Sequence, residues 1–374
     1  MKDLLQKYPP SRWLYGLASA NMVFFLLPPL MMVLVAGTVA QRWIGLYSAS
    51  KMFFSAVVIW LGGVVPVPGG WTLMAFLTVS LFLKFLLKSE WQWKKAGVLL
   101  AHLGALVLMC GGLLTALTAR ESYMVIPEGA ESAYLYDYHK RELIVYEDAR
   151  VRAQFPYADI AQWDATSLPF TLTVVGWCEN CGILKRADTE DYTPDVPYRG
   201  MAQNMALQSR PPEREPEANL TGLTFALDGV SKTADGVYMA FEGMPKPVTF
   251  EKGGHTYQIV FGKAQRPLPF SVKLTAFEKQ TYSGLEKARA YTSDLLVKDQ
   301  GLEWPVRIEM NKPFRYRGYT FFQSSFEEGA DFQATILAVV ENRGRLFPYI
   351  GTGLMGLGLF WHLVLMVWNG RRAV

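Results

Sequence analysis

The sequence predicts an integral membrane protein: an α-helical bundle of four transmembrane helices carrying one large extracytoplasmic all-β domain, a sandwich or an open barrel. Three observations predict it. Three apolar stretches crowd residues 1–118, and a fourth lies near the C-terminus at Leu346–Trp368. Between them runs a long, mostly polar region holding most of the Pro and Gly. Within that region, several runs alternate apolar and polar residues with the period of a half-buried strand.

A helix needs roughly 20 apolar residues to cross about 30 Å of hydrocarbon. The expected spans are about 13–36, 71–87, 96–117 and 346–368. Pro28-Pro29 falls inside the first, and membrane bundles tolerate such interruptions. Met52–Val65 is apolar but short, and Pro66, Pro68, Gly69 and Gly70 follow it. That length predicts an interfacial or re-entrant segment instead of a fifth span.

Charge supports the count of four. Lys2, Lys7 and Arg12 precede the first span, Lys84, Lys88, Lys94 and Lys95 follow the second, and Arg371-Arg372 end the chain, whereas the short opposite loop holds only Arg42 and Lys51. The positive-inside rule then puts both termini in the cytoplasm and residues 119–345 outside it. The first apolar run is too long for a signal-peptide core and is read as a retained anchor. The domains expected are therefore 1–118, 119–345 and 346–374, in a bacterial inner membrane. The net charge of +4 is modest and sits at the membrane flanks, so no nucleic-acid partner is inferred.

In the polar region, Trp304, Val306, Ile308 and Met310 form one alternating face, Phe332, Ala334, Ile336, Ala338 and Val340 a second, and Tyr257, Ile259 and Phe261 a third. Leu168-Pro-Phe-Thr-Leu-Thr and Leu268-Pro-Phe-Ser-Val-Lys-Leu lie 100 residues apart and read as a short internal repeat. The Pro- and Glu-rich loop around Ser209–Ala218 has few apolar groups to bury and is expected to be mobile.

No nucleophile motif, phosphate loop or paired-carboxylate pattern is present, so no catalytic residue is assigned. The chain has four His and three Cys. His102 and His362 each sit about seven residues from the cytoplasmic end of a predicted span, which places both about 10 Å inside the same face. An imidazole in hydrocarbon is a functional candidate by default. Ala101, Gly104 and Ala105 beside His102, and Gly358 before His362, admit a flat cofactor or a neighbouring helix. Two readings stay open for each ring: a ligand to haem or another group, or a hydrogen bond to an adjacent helix. Cys178 and Cys181 have Gly182 where a covalent haem motif needs His. A disulfide is the expectation for them in an oxidising compartment. Cys110 reads as packing, and His139 and His255 as surface residues on strand ends. Arg315, Tyr316, Arg317 and Tyr319 read as a solvated hairpin, with propionates or lipid head groups as the alternative contact.

Four segments stand out: Ala101-His-Leu-Gly-Ala-Leu-Val-Leu-Met-Cys-Gly-Gly followed by Tyr123-Met-Val-Ile-Pro-Glu-Gly, Ile44-Gly-Leu-Tyr, Leu268-Pro-Phe-Ser-Val-Lys-Leu, and Asn311-Lys-Pro-Phe-Arg-Tyr-Arg-Gly-Tyr-Thr-Phe-Phe-Gln-Ser-Ser-Phe. In these segments the chain resembles the ResB (CcsB) family. The resemblance implies a non-catalytic subunit of system II cytochrome c biogenesis. Such a subunit works with a CcsA-like membrane partner to move haem b across the membrane for attachment to apocytochrome c. The resemblance makes His102 an axial ligand to haem iron. His362 matches no family ligand, and Cys178-Cys181 is not part of the general pattern. The partner's Trp-rich haem-handling motif is absent. Two other functions remain: a membrane haem b electron carrier with His102 and His362 as paired axial ligands, and a cofactor-free scaffold.

Overall fold

The computed structural model describes residues 9–163, 165–188, 197–282, 288–329 and 332–371. Lys2, Lys7 and Arg372 of the charge argument lie outside them. The chain divides into a helical unit, Met1–Arg120 with Glu341–Val374, and a β unit, Glu121–Val340.

The helical unit contains α1 (Pro9–Leu17), α2 (Asn21–Ala49), α3 (Gly70–Leu83), α4 (Ala96–Thr118) and α5 (Phe347–Arg371). Among the described residues, four helical stretches are long and apolar enough to cross a membrane: Asn21–Phe54, Gly70–Lys88, Trp93–Thr118 and Phe347–Trp368. The first differs from the expected 13–36 at both ends. Trp13 belongs to the separate α1, and the chain turns at Ser19, whose Oγ accepts the Asn21 N–H at 3.3 Å. Short polar side chains compete with a continuing helix in this way. Beyond Ala36 nothing breaks the helix, so α2 runs past the drop in hydropathy. It turns only at Gly45, whose φ of 78° and ψ of 167° a side chain would disfavour.

After a π-turn at Ser50–Phe54, the chain forms a two-stranded hairpin, β1 (Val58–Leu61) with β2 (Val65–Pro68). The segment 52–65 thus holds no helix long enough to cross. Ile59 is buried with Val33 of α2 and Leu73 of α3, and Leu26, Leu30 and Val67 pack around them.

The β unit is built on two long strands, β4 (Glu131–Glu147) and β12 (His255–Thr281), which pair antiparallel. β4 is flanked in sequence by β3 (Arg120–Pro127) and β5 (Arg150–Pro156). They are followed by β6 (Thr171–Cys178), β7 (Cys181–Lys185), β8 (Met205–Ser209), β9 (Gly222–Asp228), β10 (Gly236–Phe241) and β11 (Val248–Lys252). After β12 come β13 (Ala288–Asp299), β14 (Leu302–Glu309), β15 (Phe314–Tyr316), β16 (Tyr319–Glu328) and β17 (Gln333–Glu341). The main sheet runs β14-β13-β12-β4-β3-β17-β16-β15. Its ends approach each other, because β14 contacts β16 and Glu309 bridges to Lys312. The result is a nearly closed barrel.

β4 and β12 each serve two cores. Leu143 and Val145 of β4, with Tyr257, Ile259 and Phe261 of β12, bury against the three-stranded sheet β10-β9-β6. Leu135 of β4, with Leu268, Phe270, Val272 and Leu274 of β12, fills the barrel. The pairing shifts register at Lys263/Gln265 and again at Pro267/Val272, between the two cores. Such irregularities bend strands and re-aim their side chains. The two Leu-Pro-Phe runs point inward alike, Leu168 and Phe170 into the first core and Leu268 and Phe270 into the second.

Two expectations need correction. In β17 the buried residues are Ala334, Thr335, Leu337 and Val339, so the predicted face (Ile336, Ala338, Val340) is the less buried one. The strand is apolar on both sides, so alternation leaves its phase open. Thr335 turns inward because its hydroxyl joins Ser293 and Gln323 at 2.9 and 3.0 Å. The loop at Ser209–Ala218 is not loose: the Asn180 side-chain amide donates to Pro211 O, Arg141 donates to Pro216 O, and Glu213 N–H donates to the Asn219 side chain. Low apolar content did not matter because polar side chains hold its backbone.

Candidate functional site

Helix α4 has two faces. On the first, Gly97, Gly104 and Gly111 recur every seven residues, and α5 with the turn before it answers with Gly344, Gly351 and Gly358. A Cβ on Gly97 would stand 2.6 Å from the Gly358 carbonyl oxygen, one on Gly104 2.6 Å from that of Gly351, and one on Gly344 2.8 Å from that of Gly111. Backbones meet directly, as small residues permit between apolar helices. Thr115 Oγ1 donates to the Asn342 side chain at 3.1 Å and extends the contact.

His102 lies on the other face. At 100° per residue it stands about 150° around α4 from the Gly97–Gly104 line. It shares heptad spacing with Met109 and Ala116, and those two line an apolar groove of 590 Å³ between α3 and α4. Trp71, Met74 and Thr78 form the α3 wall, and Gly112 the α4 floor. The ring nitrogen Nδ1 lies 2.7 Å from the Val98 carbonyl oxygen, one helical turn back. A carbonyl only accepts, so Nδ1 carries the hydrogen, and the neutral ring has its lone pair on Nε2. A carbonyl contact of this kind fixes the tautomer and orientation of an imidazole.

His362 is on the contact face of α5. Its backbone N and Cα lie 2.5 and 2.8 Å from where a Gly97 Cβ would be. His102 therefore sits five residues, about 7.5 Å, farther along α4 and on its opposite side. The equal depth inferred from the sequence does not hold, and the two rings are not brought together. The inference failed because it measured each His from its own helix end, whereas the glycine contacts set the register. Gly104 and Gly358 serve the helix contact, and of the small residues near His102 only Ala105 belongs to its stripe. Among the described residues, His362 Nδ1 is buried without a hydrogen-bond partner.

The donor set fits one axial haem ligand from this chain. His102 offers a lone pair on a ring held by Val98 O, and among the described residues the α4–α5 register brings no second imidazole to it. Among the described residues, no three His, Cys, Asp or Glu side chains cluster as a metal site.

The remaining candidates lie elsewhere. Cys178 and Cys181 are joined by a disulfide across the β6–β7 turn, with Cα atoms 5.5 Å apart, and both are buried. Cys110 is a free thiol. His255 Nδ1 lies 2.6 Å from Asp148 on an exposed turn, and the carboxylate raises the pKa of the imidazole. His139 lies 3.6 Å from Glu217. The Arg315–Tyr319 hairpin is not simply solvated. Tyr316 OH donates to Asp299 at 2.6 Å, Arg317 meets the same carboxylate, and the Tyr316 ring packs edge-on against Phe270 and Trp304. It fastens β15 to the β13–β14 turn.

Sequence reasoning missed a buried charge cluster. The Arg141 Nε donates to Glu242 at 2.8 Å, and Lys263 approaches Glu242 at 3.3 Å and donates to Tyr138 O at 2.9 Å. Burial lowers the Lys263 pKa and raises that of nearby Tyr123 to about 12. A 290 Å³ cavity opens beside the cluster, lined by Tyr123, Tyr136, Glu142 and Gln265. The charges are far apart in sequence, and no local pattern marks them. The glycine ladder, by contrast, was visible in its spacing.

A model described as the ResB-like family matches residues 236–347, from β10 to the first residue of α5. A stretch of 108 residues is 37% identical to Protein NrfI of Wolinella succinogenes. It covers 28% of this chain and 12% of that protein, so the chain spans a small part of the length of the relative it matches. The resemblance read from the sequence is borne out over the barrel half of the β unit. The family match includes Glu242, Lys263, Asp299 and Arg317, and leaves His102, His362, Cys178 and Cys181 outside it.

Proposed function

We propose that this chain, similar to the ResB-like family over residues 236–347, is a haem-handling membrane subunit of cytochrome c biogenesis. It works with a CcsA-like membrane partner that supplies the second axial ligand, and it serves apocytochrome c on the extracytoplasmic side. Both termini are cytoplasmic in this reading, as the Lys and Arg distribution favours. The observation that carries it is the state of His102: one ring nitrogen capped by Val98 O and the other left as a lone pair, two helical turns before Met109 of the α3–α4 groove. When bound, haem supplies an iron that accepts that lone pair. The chain holds the imidazole tautomer and orientation through Val98. No residue here forms the thioether bonds, so attachment belongs to the complex.

The electron-carrier alternative needs His102 and His362 on one iron, and the α4–α5 register opposes that. The test is absorbance of the purified chain, alone and with its partner, for wild type, His102→Ala and His362→Ala. We expect haem only in the partner complex, lost in His102→Ala, partly restored by added imidazole and kept in His362→Ala. Mature c-type cytochromes should fall in the His102→Ala strain. Low-spin haem in the isolated chain, lost equally in both variants, would instead establish the electron carrier. Unchanged haem and normal cytochrome c in His102→Ala would make that residue structural.

A further inference from the structure

The β1–β2 hairpin has an outer surface that water does not suit. Trp60, Leu61, Val64 and Val65 are 60%, 54%, 77% and 55% exposed, and no charged residue occurs between Lys51 and Lys84. Contiguous exposed apolar surface of this kind marks contact with a membrane or another protein. The position of the hairpin narrows the choice. Ile59 and Val67 pack at the level of Leu26, Leu30 and Val33. Those residues lie in the first half of α2, a helix long and apolar enough to cross hydrocarbon about 30 Å thick.

Strand edges are normally excluded from hydrocarbon because their free N–H groups have no partner there. The edge of β2 avoids half of that objection. Gly69 N–H donates to Val57 O at 2.9 Å, which fixes the alternation of the ladder. Ile59 then exchanges bonds with Val67 and Leu61 with Val65, whereas the Val58–Pro68 and Trp60–Pro66 pairs point their backbone groups outward. The outward positions of β2 are therefore both proline, which has no N–H. An edge without donors cannot accept a further strand in a regular ladder, and it presents only carbonyls, the less costly groups to leave unpaired.

We propose that the β1–β2 hairpin is a lipid-immersed wedge, with its exposed apolar side chains and its donor-free proline edge set against acyl chains. The proposal rests on α2 crossing the membrane and adds a non-helical element at bilayer depth. The test uses the full chain in nanodiscs with a single cysteine carrying an environment-sensitive fluorophore. The labels go on Val64→Cys, on Met31→Cys of α2 (58% exposed) and on Lys232→Cys as an aqueous control, all in a Cys110→Ser background. We expect blue-shifted emission from Val64→Cys, largely quenched by lipids with mid-chain nitroxides, as for Met31→Cys and unlike Lys232→Cys. Aqueous emission at Val64→Cys with Met31→Cys quenched overturns the wedge alone. Both unquenched overturns it together with the membrane reading. Loss of quenching at Val64→Cys on adding the partner shows a protein-docking face and also overturns it.

Discussion

The helical unit and the β unit treat buried polarity in opposite ways. In the β unit, Glu242 is shared by Arg141 and Lys263, and Asp299 is held by Tyr316 and Arg317. Each cluster ties strands together: both Glu242 oxygens are used internally, whereas Asp299 bonds through Oδ2 and, among the described residues, its Oδ1 is buried without a hydrogen-bond partner. In the helical unit, His102 has one nitrogen bonded and Nε2 left over. A polar network whose bonds are used internally specifies a fold, and a lone pair left unspent in an apolar setting is available to a ligand. Glu242, Lys263, Asp299 and Arg317 fall inside the family match, and His102 falls outside it.

The largest expected effect breaks the β side of this comparison. Glu242→Gln leaves two buried cations without their shared carboxylate, which should cost about 3–5 kcal/mol. Denaturant unfolding of the full chain should register that loss while the haem content of the surviving folded protein stays normal. A negligible loss would mean that the cluster is solvated.

The next sharpens the two faces of α4. Gly104→Ala drives a methyl into the backbone of Gly351 and Met355, and overpacking of this kind costs roughly 1–3 kcal/mol. Gly112→Ala meets no atom within 4 Å on the groove face, and should be neutral or stabilising by up to about 1 kcal/mol. Thermal stability in detergent should separate the two variants. Equal melting temperatures would contradict the ladder.

The smallest effect concerns the His255–Asp148 pair. The carboxylate raises the His255 pKa above 6.5, and the hydrogen bond from His255 lowers that of Asp148 below 3.8. The contribution of His255 is complete below the unfolded His value and is lost as pH rises through the folded one. That of Asp148 is complete above the unfolded Asp value and lost as pH falls through the folded one. The pair therefore stabilises between those limits, and only slightly, because both groups are fully exposed. An NMR titration should place the His255 midpoint above that of an unfolded peptide, and Asp148→Asn should return it.

Much of the fold is legible in particular residues. Tyr257, Ile259 and Phe261 share one face of a strand by their period of two, and all three are buried. The β17 face was misread because Ala334–Val340 is apolar on both sides, and only the Ser293–Gln323–Thr335 contacts decide which side faces in. His102 was singled out because an imidazole in hydrocarbon is costly wherever it points. Its relation to His362 was not legible, because facing and depth depend on how two helices meet.

By itself the sequence determined the number of apolar helices, the β character of the long region between them and the residues whose burial demands a reason. These follow from hydropathy and short-range periodicity, which are properties of neighbours along the chain. Only the tertiary structure decided that His102 and His362 lie on opposite sides of α4, that residues 58–68 fold back beside α2, and that Arg141, Glu242 and Lys263 share one site. Each of these depends on the register between segments far apart in sequence, which is set by close packing and by the pairing of buried charge.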